Sequence, residues 1–394
     1  MGIELNTLDM NAAGTHSASR RLPHATARPA LALAAALLAC ASCGNEPSRP
    51  QPGDWSRAAV GHELGGHENS IYSVAFSPDG SCLAAGSKET VLLWKVATGS
   101  LHQTLSGHRD RIASLAFDPT GAKLAASSWG EVIVWDVASG GKLSRFEAGG
   151  KGVPHCCYGP DGSRLACASD DGTVFVWDAN SGKEIISSRS HTGPARWVAI
   201  GPGDALAASA SRDETIRLWD LAAGKERKTV PTGERTESVL FSPDGALFTA
   251  AVRSETITLW DAGTGAKHCE LTGHTGSVRW VDFNADGTRL VSCGTDKSIC
   301  VWDVTSRSLL RTCTGHTRRP ERVLCLPAGP YAVSASQTEL IVWNVNTGAV
   351  EFKDAGRILT PDTLAVDPAG GHVACADKDD RVVVWEAPPR AAAP

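Results

Sequence analysis

"TGHTGSVRWVDFNADGTRLVSCGTDKSICVWD", residues 272–303, holds a histidine (His274), a serine (Ser292) and an aspartate (Asp296), the residue types of a hydrolase triad. A nucleophile, its base and the group that orients the base are needed in one place only, because catalysis rests on a single converged geometry. This stretch recurs. Tryptophan followed by a polar residue stands at Trp94, Trp135, Trp177, Trp219, Trp260, Trp302, Trp343 and Trp385, in steps of 41 or 42 residues. Gly-His lies 27 or 28 residues ahead of the tryptophan at His67, His108, His274 and His316, and Ser-His does so at His191. Eight copies of one unit follow from the count.

Within the unit, "SVRWVDF", "TRLVSCG" and "SICVWDV" are short runs rich in Val, Ile, Leu and Trp, parted by "NADG" and "TDK". Each reads as a strand ending in a tight turn. "SPDG" at 77–80 and 242–245 and "GPDG" at 159–162 put Pro and Gly where a turn needs preset or positive φ. Thr-Gly and Ser-Gly turns in "VATGSLHQTL", "DANSGKEIIS" and "DAGTGAKHCEL" then lead into a more polar fourth strand. One unit is a four-stranded antiparallel sheet. Its inner strands are apolar at most positions, which suits sheets covered on both faces by their neighbours around a channel.

A period of 40 to 45 residues with G-H and W-D signatures resembles the WD40 family of β-propellers. The resemblance covers roughly residues 55–386 and implies an all-β, closed propeller of eight four-stranded blades, although seven is the commoner number. After Trp385 only "EAPPRAAAP" remains, too short and too rich in Pro to supply a fourth strand. "WSRAAVGHELGGH" at 55–67 ends as "KHCELTGH" at 267–274 does. A strand near Ala58–Leu64 is therefore expected to complete the last blade.

The resemblance also gives the opening residues a structural meaning. In such blades His, Ser, Asp and Trp form a tetrad in which buried polar groups satisfy one another. Two units carry all four: His191, Ser209, Asp213 and Trp219, and His274, Ser292, Asp296 and Trp302. Elsewhere the pattern is degraded. Cys167 and Cys375 stand where Ser would, Gly149 and Arg357 where His would, and the turn between second and third strands of the first two blades is one residue shorter. No catalytic residue is assigned.

Composition narrows the partners. The chain has 394 residues and a formal charge of −5, which argues against a dedicated nucleic-acid binder and agrees with plain solubility. No cofactor or metal is expected. The twelve cysteines show no paired C-x-x-C spacing for zinc. Cys167, Cys300, Cys325 and Cys375 read as small apolar strand residues, and Cys156 and Cys157 as strand neighbours facing opposite ways. With the hairpin turn at 295–298, Cys293 and Cys300 are expected to oppose each other across two strands, within disulfide reach.

The first 54 residues lie outside the ring. Arg20, Arg21 and Arg28 precede an apolar run over 30–39, then Cys40, Cys43 and a Pro-rich tether. A positive n-region, a short apolar h-region and small residues make a secretory signal, and the run is too short to span a membrane. "LLAC" resembles a bacterial lipobox with Cys40 as the lipidated residue. Cys43 is the second choice, and cleavage before Ser42 would release a soluble protein. The expected organisation is signal or disordered segment 1–41, tether 42–54, propeller 55–386 and tail 387–394. An Ala-rich arm on a cytosolic protein is the plainer alternative.

Three function classes follow. The first is a non-catalytic protein-interaction scaffold, exported and lipid-anchored, working as a monomeric ring. The second is an enzyme of the eight-bladed quinoprotein type, suggested by "DANSGKE" and "DAGTGAK"; that motif ends in a tryptophan where this chain has Ile186 and Cys269. The third is a cytosolic scaffold for a kinase or regulatory partner. In propellers similar to this one the mouth beside the Gly-His positions takes ligands. Here that rim holds Arg111, Arg196, Arg235, Arg279 and Arg319, with Arg212 and Arg253 in adjoining turns, against Glu237, Glu321 and Asp362. Tyr72 and Trp129 add apolar surface. An acidic or phosphorylated partner segment is expected there.

Overall fold

Strands whose residues are apolar at nearly every position must be covered on both faces, and the chain meets this demand by stacking sheets radially. The computed structural model describes residues 53–357 and 359–388. They form eight antiparallel sheets in a ring, a β-propeller. Blades 1 to 7 occupy residues 73–106, 114–152, 155–188, 195–231, 236–272, 278–314 and 320–355. Blade 8 takes 359–386 together with the strand Ala59–Leu64, which pairs antiparallel with Val382–Glu386. The N-terminal strand thus closes the ring, as expected. The signal, tether and lipidation expectations at 1–52, Cys40 and Cys43 included, and the tail from 389 lie outside the described residues.

Each apolar cluster draws on two neighbouring blades. Ala84, Val91 and Leu93 of blade 1 pack on Leu124, Ile133 and Trp135 of blade 2. Ala374, Val382 and Val384 of blade 8 pack on Leu83, Ala85 and Trp94 of blade 1. The third strands are buried along their length, as at Val382–Trp385, while fourth strands such as Lys225–Pro231 are largely exposed.

Polar turn residues fix the hairpins. In the Ser77–Gly80 turn, Ser77 Oγ donates to Asp79 at 2.6 Å and Gly80 adopts φ 71°. The aspartate after the blade tryptophan serves the next turn: Asp303 Oδ1 accepts from Ser306 N at 2.7 Å and Ser306 Oγ at 2.9 Å. Blade 2 differs in form. Its 14-residue strand Lys123–Asp136 pairs with Ser114–Phe117 through one half and with Lys142–Gly152 through the other, passing Gly130 at φ 70°, and so fills both middle places.

Two expectations are corrected here. Cys300 opposes Ser292, and Cys293 opposes Ile299. A one-residue change of register turns a side chain to the other face of a sheet. Cys293 accordingly packs in the cluster between blades 6 and 7 and Cys300 in that between blades 5 and 6, and both are free thiols. The shorter second hairpin, expected in the first two blades, also occurs in blade 7, where Ala335 opposes Leu340.

Candidate functional site

The tetrads are hydrogen-bonded networks. His191 Nδ1 donates to Asp213 at 2.9 Å, Ser209 Oγ donates to His191 Nε2 at 2.8 Å, and Trp219 Nε1 donates to Ser209 Oγ at 3.0 Å. His274, Asp296, Ser292 and Trp302 repeat the pattern, each contact at 2.8 Å. A third network is present that the sequence reading missed. His316 donates to Glu339 at 3.2 Å, Ser334 bridges to it at 2.6 Å, and Trp343 Nε1 reaches Ser334 at 2.7 Å. The hairpin of blade 7 is shorter by one residue, and the extra methylene of glutamate makes up the reach. His108 meets Glu131 at 2.7 Å through the same device. The signal was available as glutamate 23 residues after the histidine in place of aspartate at 22.

The degraded blades use substitutes. A Cβ at Gly149 would meet Asp171 Oδ2 at 2.7 Å. Arg357, in a histidine place, pairs with Glu63 at 2.7 Å and with Asp354 at 3.3 Å, and the Trp385 indole donates to Asp354 at 2.7 Å. Burial holds His67 and His316 neutral: desolvation lowers both to about 4, only partly countered in His316 by Glu339. The tetrad groups are spent on one another inside blades, which is a structural arrangement, while His67 packs edge-on to Trp94.

At the mouth, each blade sends one residue from the start of its first strand toward the axis, and six of the blades send the next residue as well. The upper layer has Tyr72, Ala113 and Pro154 from blades 1 to 3, then Arg196, Glu237, Arg279, Glu321 and Asp362 from blades 4 to 8. Directly after them stand Ser73, Ser114, His155, Trp197, Trp280 and Arg322. All of these line one cavity of about 430 Å³, joined by Arg212 and Arg253 from the hairpin turns. The sequence reading named Tyr72, Arg196, Glu237, Arg279, Glu321 and Asp362 of the upper layer and passed over the second. Its signal is the residue 21 or 22 places before each blade tryptophan, where large aromatic or charged side chains replace serine.

Glu237 is shared by three arginines: Arg253 at 3.1 Å, Arg212 at 3.4 Å and Arg196 at 3.7 Å. Arg196 also meets Asp170 at 2.7 Å. Glu321 takes Arg279 at 2.8 Å and Arg319 at 2.7 Å. The mouth arginines are therefore held by acids, and those acids are outnumbered.

The structure gathers five of the expected residues in the cavity: Tyr72, Arg196, Arg212, Arg253 and Arg279. Arg111 lies over the Tyr72 ring at 5.8 Å, and with Trp129, which is 60% exposed, both line an adjoining cleft of about 240 Å³. Arg319 opens instead onto a groove with Lys297 and Arg318. Arg235 is exposed and lines none of these three spaces.

Lower in the cavity the side chains stack. His155 lies on Trp197 with ring centroids 3.5 Å apart, Trp197 meets Trp280 edge to face at 5.2 Å, and the Arg322 guanidinium sits over Trp280 at 4.4 Å. Beneath them Asp282 accepts from Cys325 N at 2.9 Å, and burial pushes its carboxyl up to about 7.

Among known proteins, the family model for the WD domain, G-beta repeat, matches residues 59–95, 99–136, 140–178, 182–220 and 265–303. WD repeat domain-containing protein 83 of Danio rerio is 54% identical over 41 residues, 10% of this chain and 13% of the relative. The small ribosomal subunit protein RACK1y of Oryza sativa subsp. japonica is 30% identical over 126 residues, 31% of this chain and 37% of its own. The nuclear distribution protein nudF of Aspergillus oryzae is 38% identical over 82 residues, 20% and 18% of the two chains. The chain thus spans less than two-fifths of the length of each of these relatives.

Proposed function

From a chain that carries WD40 repeats and closes them into an eight-bladed propeller, we propose a non-catalytic protein-interaction scaffold whose mouth docks an acidic or phosphorylated segment of a partner. The observation that carries this reading is the convergence of three guanidinium groups on the single carboxylate of Glu237 and of two on Glu321. Arginines so held are oriented before the partner arrives, and an incoming carboxylate or phosphate meets a local excess of positive charge. The exposed ring of Trp129 beside Tyr72 supplies apolar contact at the edge of the same mouth. A relative named as a small ribosomal subunit protein accords with a part in an assembly.

The double variant Arg196→Ala, Arg279→Ala tests the site once the partner has been recovered by pull-down. Each arginine that meets an anion contributes roughly 1.5 to 3 kcal/mol, so the pair should weaken binding more than tenfold and flatten its dependence on salt. Unchanged affinity and unchanged salt slope would place the partner elsewhere.

The scaffold is further proposed to be exported and held at the membrane by a lipid on Cys40, as a monomeric ring. The support is the sequence of the first 43 residues; among the described residues no helix is long and apolar enough to cross a membrane. Fractionation of the expressed protein should find it with the membrane, and Cys40→Ala should move it to the soluble fraction. A wild type that stays soluble in the cytosol would favour the cytosolic scaffold.

A further inference from the structure

Arg322 is a half-buried guanidinium with too few partners. Its Nη1 donates to the backbone carbonyl of Asp362, its plane rests on Trp280 at 4.4 Å, and its Nε is buried without an acceptor. Among the described residues no carboxylate oxygen comes within ion-pairing distance of it. Asp362 and Asp282 are near enough to feel its charge, and burial pushes the Asp282 carboxyl up to about 7, so Asp282 is only partly ionised at neutral pH. One more buried nitrogen of the same cavity, His155 Nδ1, lacks a hydrogen-bond partner, and Arg196 Nε meets only the Glu237 carboxylate at 3.7 Å, beyond hydrogen-bond reach. Burial, with the Arg322 charge added, holds His155 near 3, so the ring is neutral, and its single N–H meets an anion in the cavity in the Nδ1–H tautomer.

Buried charge without a counter-charge is strongly unfavourable, and buried donors in native proteins are nearly always paired. Here Arg322 Nε and His155 Nδ1, both without partners, lie in one cavity, lined by five arginines against three carboxylates. We propose that this axial cavity is a binding site for a small oxyanion, a phosphate or a carboxylate, seated against Arg322, Arg196 and His155. The edge-to-face rings of Trp197 and Trp280 form its floor and shield the anion from solvent on that side. The site deepens the docking reading, since the anion can arrive free or as the tip of a partner side chain. It requires only the anion, however.

The probes are inorganic phosphate and malonate, added to the full chain at constant ionic strength set with chloride. Either is expected to raise the melting temperature and to change tryptophan emission saturably, because Trp280 lies under the guanidinium. Phosphate acting alone assigns a phosphorylated ligand, and malonate acting alone assigns a carboxylate. Arg322→Met should abolish the response while melting no lower than wild type in anion-free buffer, because an apolar side chain of similar size relieves the buried charge. Arg322→Lys, which keeps the charge but loses the planar fork, should bind at least tenfold more weakly. No saturable response in wild type, or the same response in both variants, would overturn the proposal. A response to anions beside unchanged partner binding by the Arg196→Ala, Arg279→Ala double variant would leave the site standing and remove the docking reading alone. Partner binding without any anion response would do the reverse.

Discussion

Removing residues 1–66 is expected to leave a chain that aggregates or melts far below wild type, whereas removing 1–54 leaves a folded ring. The longer deletion takes the strand Ala59–Leu64 from Val382–Glu386 and exposes that strand as an unpaired edge. It takes Trp55, 1% exposed and packed with Trp385 and Leu364, and Leu64, packed with Leu92 and Trp94 in the next interface. It also takes Glu63, which Arg357 and Arg381 grip at 2.7 and 2.8 Å. Loss of a buried large aromatic alone costs about 3 to 5 kcal/mol, out of a typical total near 5 to 15. Among the described residues the shorter deletion takes only Gly53 and Asp54, with the bond from Asp54 N to the Pro388 carbonyl at 2.8 Å and those from Arg57 N and Ser56 Oγ to Asp54 at 3.0 and 2.6 Å. Thermal unfolding of the two truncations should differ by more than about 10 °C. Equal melting temperatures would mean that the ring closes without this strand.

Acid should destabilise the ring well before its carboxylates titrate. Burial lowers His316 and His67 from 6.5 to about 4 and His155 to about 3, and lowers His108 and His191 too. Between the unfolded and folded pKa values the unfolded chain binds more protons, so stability is full above about pH 6.5 and falls as pH drops toward 4. At about 1.4 kcal/mol per pKa unit, His316 contributes on the order of 3 kcal/mol across this window. Glu339, held near 2 by Lys353 and Thr317 against its burial, adds its loss only below about 4.5. His372, raised by Asp367, and Asp282, raised by burial to about 7, work in the opposite direction, favouring the fold as pH falls, against the larger sum of the lowered histidines. Urea unfolding at pH 7.5, 6.5, 5.5 and 4.5 should show a steep decline through the last two steps. His316→Gln should show a shallower one from a lower start. A flat profile down to 4.5 would contradict the neutral, buried state of these rings.

The ring was legible because its evidence is repeated. The tryptophan spacing, the turn residues and the resemblance of 55–64 to a fourth strand each state the same period, and all eight blades obey it. What depended on a single residue of register was not legible. Each pairing of third and fourth strands slips just before the blade tryptophan, as between Val301 and Trp302, and the exact hairpin turn decides what Cys300 faces. Glu339 stood outside the expected tetrad pattern because a shorter turn and a longer side chain compensate in space without matching in sequence. The mouth arginines were found as a set, yet their pairing with Glu237 and Glu321 runs between blades about 40 residues apart. Arg322 looked like any charged strand residue until the ring placed it on the axis.

The closing strand also gives the molecule a direction. Along it, Glu63 stands with Arg381 beside the mouth-side turn of blade 8, while Asp54 meets Pro388 at the other end. The chain therefore enters and leaves the ring side by side on the face away from the arginines. An attachment made through the residues before Gly53 would hold the ring by its back and leave the arginine-rimmed face turned toward the far side.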